Sequence, residues 1–220
     1  MQTQRRQFNF GTLAIQLDTI QDTEALLDDL IARDDNDPEV VDEVMPYWAD
    51  LWHSALALSE FITEQRDTLP GLRVLEIGCG LGLPGIVASG WGARVTFSDY
   101  VHAALDFAAH NLRLNQPDHA ATFTLLDWRN PPQDQQYDLI LAADVAYEKR
   151  FFAPLYQSLH TLLKPTGQCW LSEPGRPIAA SFMAGLEEAG LSIEKEDFKV
   201  AKLDEVQRKV RILTLKKTQL

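Results

Sequence analysis

The sequence predicts an α/β fold with a seven-stranded, mostly parallel sheet that ends in an antiparallel hairpin and has helices on both faces. From Arg73 onward, short β-rich runs alternate with helical stretches, and this alternation builds a parallel sheet. Only the short polar segment 201–209 joins the last two runs, which is too brief for a crossover and favours a hairpin. A helical N-terminal extension is expected to precede the sheet.

Seven segments have the composition of strands, and three have the periodicity of helices. The strands are predicted at 73–77, 94–98, 122–126, 138–142, 168–172, 192–200 and 210–215. The helices between the early strands are predicted at 83–89, 102–114 and 151–163. A further apolar stripe with a helical period, 46–62, predicts a helix that covers one end of the sheet.

Residues 1–45 are expected to form an acidic extension, and residues 46–220 the α/β domain. The segment 18–43 is dense in aspartate and glutamate, with Arg33 as its single base, yet its leucines recur at helical spacing. Two interpretations stay open for this extension. It is either a docking surface for a basic partner or a solvated face that keeps the protein in solution.

The formal net charge of −12 argues against general binding to nucleic acid, because that binding requires lysine and arginine to replace the counterions of phosphate. A basic substrate surface is the more natural partner. No apolar run near the N-terminus resembles a signal peptide, and no window is long and apolar enough to cross a bilayer. We therefore expect a cytoplasmic protein.

Neither the cysteines nor the histidines indicate a metal site. Cys79 and Cys169 lie inside apolar runs without metal-ligand spacing, which predicts buried thiols in a reducing compartment. The five histidines, which form no ligand cluster in the sequence, are His53, His102, His110, His119 and His160.

The most specific local pattern is an apolar strand that runs directly into a loop with glycine at alternate positions, Gly78, Gly80 and Gly82. Glycine allows a positive φ and lets a ligand lie against the backbone where a Cβ would collide. The third glycine of the dinucleotide fingerprint is missing from its expected place, where Leu83 stands, and this disfavours a dinucleotide enzyme.

Two acidic residues accompany the loop. Glu76 lies at the carboxyl end of the first strand, where open α/β sheets bind ligands, and could accept hydrogen bonds from an ammonium group or water. Asp99 ends the second strand, the position at which such folds hold the hydroxyls of a ribose. Together with the loop, these acids predict a pocket for an adenosine-containing ligand that has no pyrophosphate.

The stretch from Arg73 to Tyr147 resembles the class I S-adenosylmethionine-dependent methyltransferases, which have a Rossmann-like sheet. The resemblance implies that S-adenosylmethionine is the cofactor and S-adenosylhomocysteine the product. It implies further that the glycine loop holds the methionine part, Asp99 the ribose and Asp127 the adenine amine. The cofactor-binding residues implied are Trp52, Glu76, Gly78, Cys79, Gly80, Gly82, Asp99, Tyr100, Asp127, Trp128 and Ala143.

The segment 142–147 at the end of the fourth strand places Asp144 and Tyr147 three residues apart, facing the open end of the pocket. Transfer of a methyl group from a sulfonium needs alignment of a neutral nucleophile and little covalent help. Asp144 could orient an amine or take its proton, and Tyr147 could hold a cationic head group. The pair resembles the Asp/Glu-x-x-Tyr/Phe motif of a class I branch that methylates lysines of non-histone proteins, so both are predicted to be catalytic.

Two further segments resemble the same branch. The helix 51–58 is similar to an upstream motif whose tryptophan, here Trp52, lies against the cofactor. The run 173–177 resembles a substrate-side loop of an electron-transfer-flavoprotein lysine methyltransferase, whereas 82–85 resembles a different set of lysine methyltransferases. The sequence therefore does not choose a substrate within the branch.

Methylation of a protein lysine is the leading hypothesis for the function. A small-amine methyltransferase stays open, and a deep pocket closed by the N-terminal segment would favour it, while an open acidic groove would favour a protein substrate. A cofactor-binding interaction module without turnover is the third possibility. Methylation of a nucleic acid is disfavoured, because the fourth strand has no Asn-Pro-Pro-Tyr type of sequence and the chain has no basic stripe.

Overall fold

A central β-sheet organises the protein, and the computed structural model describes residues 2–116 and 121–218. The strands are β1 Thr3–Phe10, β2 Leu13–Ile20, β3 Arg73–Ile77, β4 Arg94–Asp99, β5 Thr122–Leu125, β6 Tyr137–Ala143, β7 Leu163–Glu173, β8 Leu191–Leu203 and β9 Val206–Lys217. The helices are α1 Glu24–Ile31, α2 Pro38–Val41, α3 His53–Glu64, α4 Leu83–Gly90, α5 His102–Asn115, α6 Phe152–Leu162 and α7 Ala179–Gly185. Single 3-10 turns lie at Tyr47–Ala49, Arg66–Thr68 and Lys149–Phe151.

The predicted fold class is confirmed. Seven strands form the sheet in the order β5-β4-β3-β6-β7-β9-β8, with β3 to β7 parallel and β9 antiparallel to both of its neighbours. The chain runs outward from β3 in one direction and from β6 in the other, so the switch point lies between these two strands. Ligands bind at the carboxyl ends of the strands at such a point.

Side chains of β3 alternate between two apolar layers. Val74 packs in the layer that α3, α4 and α5 contribute to, whereas Leu75 and Ile77 pack in the layer of α6 and α7. This alternation follows from the two-residue period of a strand, and it gives a sheet covered by helices on both faces. Glu76 shares the face of Val74, which directs its carboxylate toward α4.

The structure adds an N-terminal hairpin, β1 and β2, that the sequence analysis does not predict. It pairs in antiparallel register through a two-residue turn at Gly11, whose φ is +60°. Ile15 and Leu17 are buried in the apolar layer of α3, α4 and α5. The backbone N–H of Asp18 donates to Asn111 Oδ1 of α5 at 2.9 Å, which fastens the hairpin to the domain. The extension is therefore part strand and part helix, with α1 as its main helix.

Other boundaries also differ from the prediction. The helix expected from residue 46 begins at His53, because Tyr47–Ala49 form a separate 3-10 turn and Trp52 is extended. The expected connection 201–209 is mostly strand, so β8 and β9 turn within two residues. Helix α7 lies between β7 and β8 and is absent from the prediction. The division of the chain between residues 45 and 46 stays a prediction.

None of the described helices combines the length and the apolar character that crossing a bilayer requires.

Candidate active site

A cavity of about 630 Å³ opens at the carboxyl ends of β3, β4 and β6. Residues 42–52, which we call the N-terminal strap, cross this edge of the sheet and contribute to the cavity wall. The size falls within the range of pockets that hold a nucleoside-sized ligand. Every residue that the sequence indicates for cofactor binding or catalysis lines this one cavity. Their individual roles stay predictions.

The glycine loop after β3 lies directly beneath the strap. Gly80 has φ +48°, and a Cβ built on it would approach the carbonyl oxygen of Trp48 to 2.8 Å. The neighbouring Cys79 is buried, its backbone N–H donates to Ser98 O at 3.0 Å, and burial raises the pKa of its thiol. The absence of a side chain at Gly80 thus lets strap and loop touch backbone to backbone.

Asp99 fastens the glycine loop to β4. Its carboxylate oxygens accept backbone N–H groups of Gly80 at 3.0 Å and Val101 at 3.1 Å. The side chain is buried, and this burial raises the pKa of Asp99. Each carboxylate oxygen has a second lone pair, so a contact with ribose hydroxyls remains compatible with these two bonds.

Glu76 fastens α4 to β3 in the same way. Glu76 Oε2 accepts the backbone N–H of Gly85 at 3.0 Å, and a Cβ on Gly85 would lie only 2.4 Å from that oxygen. Glu76 is 2% exposed, and burial raises its pKa well above the ordinary value. One carboxylate oxygen of Glu76 is therefore used by the fold itself.

Arg129 joins three groups at one rim of the cavity. Its guanidinium donates to both oxygens of Asp127 at 2.8 and 3.0 Å and to both oxygens of Asp42 at 3.0 and 2.8 Å. It also donates to the hydroxyl of Tyr100 at 3.0 Å, and that hydroxyl donates to Asp42. Burial alone would raise the pKa of Asp127, but the bonds from Arg129 lower it. The strap is thereby tied to β4 and to the chain after β5.

Trp128 forms the neighbouring part of the wall. Its indole lies edge-on to Phe151 at 5.9 Å between ring centroids, and it would be 3.4 Å from a Cβ placed on Gly78. The carbonyl of Trp128 accepts a hydrogen bond from Ser158 of α6 at 3.0 Å. These contacts fix a broad apolar face beside the glycine loop, where the adenine is expected.

At the other end of the cavity, Asp144 forms a bidentate ion pair with Arg176. The guanidinium Nε donates to Oδ1 at 2.8 Å, and Nη2 donates to Oδ2 at 3.0 Å. Asp144 has φ +56°, and its N–H donates to Ser172 O at 2.9 Å. A left-handed conformation is uncommon outside glycine, although aspartate tolerates it, and such residues cluster at functional sites.

Aromatic rings surround this ion pair. Tyr47 of the strap meets Trp52 edge-on at 6.1 Å and Tyr147 edge-on at 5.7 Å between ring centroids. The guanidinium of Arg176 lies over the Trp52 ring at 5.5 Å. Burial raises the pKa of Tyr147, so its hydroxyl stays protonated near neutral pH. A cation–π site is therefore present next to a carboxylate.

The loop that carries Arg176 is held by the last residue of β7. Glu173 Oε2 accepts the backbone N–H groups of Gly175 at 2.7 Å and Arg176 at 3.2 Å. Glu173 Oε1 lies 3.3 Å from Arg211 Nη1 of β9. This arrangement fixes the backbone from which Arg176 reaches Asp144.

Sequence reasoning misses four residues of this site: Asp42, Tyr47, Trp48 and Arg129. The pattern of the strap predicts the first turns of a helix, because Trp48 and Trp52 are four residues apart. Arg129 stands beside the predicted Asp127–Trp128 pair, and this adjacency is the one signal that could identify it.

Within residues 2–116 and 121–218, no group of three His, Cys, Asp or Glu side chains could hold a metal ion. His119, one of the histidines considered above, lies outside these residues.

The fold and the cavity define a Rossmann-like α/β protein with a ligand pocket at its switch point. A family model described as lysine methyltransferase matches residues 43–189, more than half of the chain. The chain belongs to this lysine methyltransferase family.

Two curated relatives and one solved structure show the range of similarity. A histidine protein methyltransferase 1 homolog of Dictyostelium discoideum is 33% identical over 127 residues, which are 56% of this chain and 41% of that protein. The protein N-lysine methyltransferase METTL21A of Danio rerio is 39% identical over 119 residues, 51% of this chain and 54% of that protein. The chain thus spans about half the length of these relatives.

The structure of magnesium protoporphyrin IX methyltransferase ChlM from Synechocystis PCC 6803, with bound SAH, has a TM-score of 0.59. Its identity to this chain is 18%, and the match covers 86% of this chain and 100% of that one. At this identity the similarity shows the fold alone.

Proposed function

We propose that the protein transfers a methyl group from S-adenosylmethionine to a lysine side chain of a protein substrate. One observation carries the proposal: in a chain of the lysine methyltransferase family, a single cavity joins the glycine loop and Asp99 to a carboxylate lined by aromatic rings, Asp144 with Trp52 and Tyr147. The first group suits an adenosine-containing cofactor, and the second suits an amine.

The residues present fit S-adenosylmethionine. Gly80 lets the glycine loop and the strap meet backbone to backbone beside the cavity, Asp99 lies at the end of β4, and Trp128 supplies an apolar face. When bound, the cofactor supplies an electrophilic methyl group on a positively charged sulfur. Gly80, Asp99, Glu76 and Trp128 would hold it, and the tie through Arg129 would keep the strap closed over it.

The chain's own contribution to transfer is alignment of the acceptor and exclusion of water. The rings of Tyr47, Trp52 and Tyr147 form the wall along which a lysine side chain would extend. Both carboxylate oxygens of Asp144 already accept hydrogen bonds from Arg176, so Asp144 orients the amine through a remaining lone pair. Tyr147 keeps its own proton, because burial raises its pKa, and therefore cannot act as the base.

The choice of lysine as the acceptor rests on the family and on the chemistry of the cavity. The relatives bear names that specify histidine in one case and lysine in another. The family description favours lysine, and the acidic, aromatic end of the cavity agrees with an amine. The net charge of −12 suits a basic protein partner better than a nucleic acid.

A small amine is the second candidate, because the N-terminal strap lies over the cavity, as a pocket for a small molecule requires. Both candidates use the same chemistry at the amine, so the size of the labelled product decides between them. We also propose a cytoplasmic location, since Cys79 and Cys169 are buried free thiols.

The test is incubation of the purified protein with methyl-labelled S-adenosylmethionine and a dialysed cell lysate, followed by gel autoradiography. Acid hydrolysis of a labelled band then separates methyllysine from methylhistidine and methylarginine. Asp144→Ala should abolish the band while still binding S-adenosylhomocysteine, measured by calorimetry. If small amines are added to the dialysed lysate and the label appears only in them, the second candidate is favoured. Cofactor binding with no transfer to any fraction would support an interaction module instead.

A further inference from the structure

Three acids near the methyl-transfer end of the cavity are each paired with an arginine. Asp144 pairs with Arg176 at 2.8 Å, and Glu148 pairs with Arg150 at 2.6 Å. Glu173, which holds the Arg176 loop, lies 3.3 Å from Arg211. Two of these arginines are shared with a further acid, since Arg150 also lies 3.4 Å from Glu43 and Arg211 lies 2.9 Å from Glu196. Arg176 is the one of these three arginines that has a single acid partner among the described residues, namely Asp144.

The Asp144–Arg176 pair is the one that borders the aromatic wall. The side chain of Asp144 is 5% exposed and that of Arg176 is 34% exposed, so the carboxylate is shielded from water. Tyr47 and Glu173 are the other titratable groups that face Arg176. Asp99, Glu148 and Arg150 face the neighbouring Tyr147, and Arg211 lies against Glu173. Glu148 and Glu173 each lie within 4 Å of another arginine, and Asp99 is held by backbone N–H groups. The guanidinium of Arg176 is the direct counter-charge of Asp144.

An unpaired Asp144 would impede methyl transfer to an amine. A buried carboxylate within a few ångströms of an ammonium group favours the charged form of that group. Methyl transfer requires the neutral amine, because only that form has a free lone pair. A cation beside the carboxylate opposes this effect, and a neighbouring cationic group is one means by which proteins activate a lysine amine.

We propose that Arg176 cancels the charge of Asp144, so that the acceptor lysine enters and reacts as the neutral amine. The inference rests on the proposed function and deepens it: Asp144 orients the nitrogen through a remaining lone pair, and Arg176 is a positioning residue that acts through Asp144. Asp144 alone would attract an ammonium group, whereas Asp144 paired with Arg176 aligns a neutral amine.

Substitutions on the two sides of the pair should move the pH dependence in opposite directions. In Arg176→Gln, the uncompensated Asp144 favours the ammonium, so the alkaline rise of the transfer rate should shift upward by about one pH unit. In Asp144→Asn, the uncompensated Arg176 disfavours the ammonium form of the acceptor, so the alkaline rise of the residual transfer rate should shift downward by about one pH unit. The double variant should return near the wild-type position, and Arg176→Lys should stay close to it.

The first assay follows transfer from methyl-labelled S-adenosylmethionine to the labelled lysate protein between about pH 6 and 10. Arg208→Gln, at the exposed start of β9 outside the cavity, is the matched loss of an arginine and should leave the pH profile unchanged. If both variants of the pair lose rate equally at every pH, the pair is merely structural and the proposal is wrong.

The second assay measures charge cancellation without turnover. Tetramethylammonium, a cation that cannot lose its charge, is titrated into protein saturated with S-adenosylhomocysteine and followed by calorimetry. Arg176→Gln should bind it at least tenfold more tightly than wild type, since the carboxylate and the Trp52 ring then face it together. Equal affinity would overturn the proposal. Tighter binding by the variant, with no methyl transfer by wild type at any pH, would refute the proposed function while leaving the charge cancellation intact.

Discussion

Replacement of Gly80 by alanine tests whether the strap is seated on the glycine loop. Gly80 has φ +48°, and its missing Cβ would lie 2.8 Å from the carbonyl oxygen of Trp48, a distance that a Cβ does not tolerate. Because the clashing atom belongs to the backbone, it cannot move by a change of rotamer. The indole of Trp48 also packs against Phe107 of α5 at 6.3 Å, so displacement of this residue disturbs the whole segment.

Two costs add in this variant. An alanine in the left-handed region costs about 1 kcal/mol, and displacement of the strap adds the loss of its contacts. Gly71→Ala is the matched control, because Gly71 has φ +80° and, its chain neighbours aside, no atom of the described residues lies within 4 Å of the place that a Cβ would take. Gly71→Ala should lower the melting temperature by about 3 °C and leave ligand affinity unchanged. Gly80→Ala should lower it further and weaken S-adenosylhomocysteine binding at least tenfold, or about 1.4 kcal/mol.

Circular dichroism gives the melting temperatures of the ligand-free proteins, and calorimetry gives the dissociation constants. The difference between the two variants, in melting temperature and in dissociation constant, is the quantity that tests the contact between strap and loop. If Gly80→Ala binds S-adenosylhomocysteine as tightly as wild type and is no less stable than Gly71→Ala, the strap does not rest on the loop. The strap would then not close the cavity through a contact with Gly80.

Three further variants test separate contacts. The hydrogen bond from Arg5 lowers the pKa of Asp18 in the folded protein from its ordinary 3.8 to about 2. Asp18 therefore stabilises the fold above about pH 4, and this stabilisation is lost as the pH falls toward 2. Asp18→Asn should therefore cost about 2 kcal/mol in urea unfolding at pH 7 and progressively less below pH 4, whereas the exposed Asp29→Asn should cost little at either pH. Arg129→Gln releases three partners at the cavity rim and should weaken S-adenosylhomocysteine binding severalfold by calorimetry; unchanged affinity would show that the tie is dispensable. Tyr147→Phe should keep most of the transfer rate and the same pH optimum, whereas Tyr147→Ala should lose at least tenfold; a large loss in the Phe variant would mean that the hydroxyl takes part.

The parts of the site that follow a strand could be predicted from the sequence. Glu76, Asp99 and Asp144 each stand at or just after the carboxyl end of a parallel strand, and these ends meet at one edge of a sheet. The glycine loop marks the first of those ends. Local pattern and strand order are enough to bring such residues to one cavity, which is what the structure shows.

Pairings between distant segments could not be predicted. Asp144 and Arg176 are 32 residues apart, and Asp42 and Arg129 are 87 apart, so no local period relates them. Which arginine reaches which carboxylate depends on the backbone of two loops and on side-chain rotamers. The sequence alone therefore suggests site residues that face a ligand without protein partners, while the structure shows most of them bonded to the protein.

The missed hairpin has a different cause. Phe8 and Phe10 in β1 and Ile15 and Leu17 in β2 alternate with polar residues around a turn at Gly11, which is the pattern of a hairpin. The dense acids that follow the hairpin dominate the interpretation of the whole N-terminal segment. A high density of charge indicates that a long segment is exposed to solvent, whereas alternation of apolar and polar residues indicates which individual residues are buried.

Two of the buried acids of the cavity, Glu76 and Asp99, show how the fold prepares the site before a ligand binds. Burial of a carboxylate disfavours its charged form and raises the pKa of both Glu76 and Asp99. Backbone N–H groups of Gly85, Gly80 and Val101 offset part of that cost and are in turn satisfied by the acids. The same bonds hold α4 and the glycine loop in fixed positions, so less conformational entropy is lost when a cofactor binds there. Replacement of either acid should therefore loosen α4 or the glycine loop as well as remove the contact proposed for the cofactor, so that unfolding and binding are affected together.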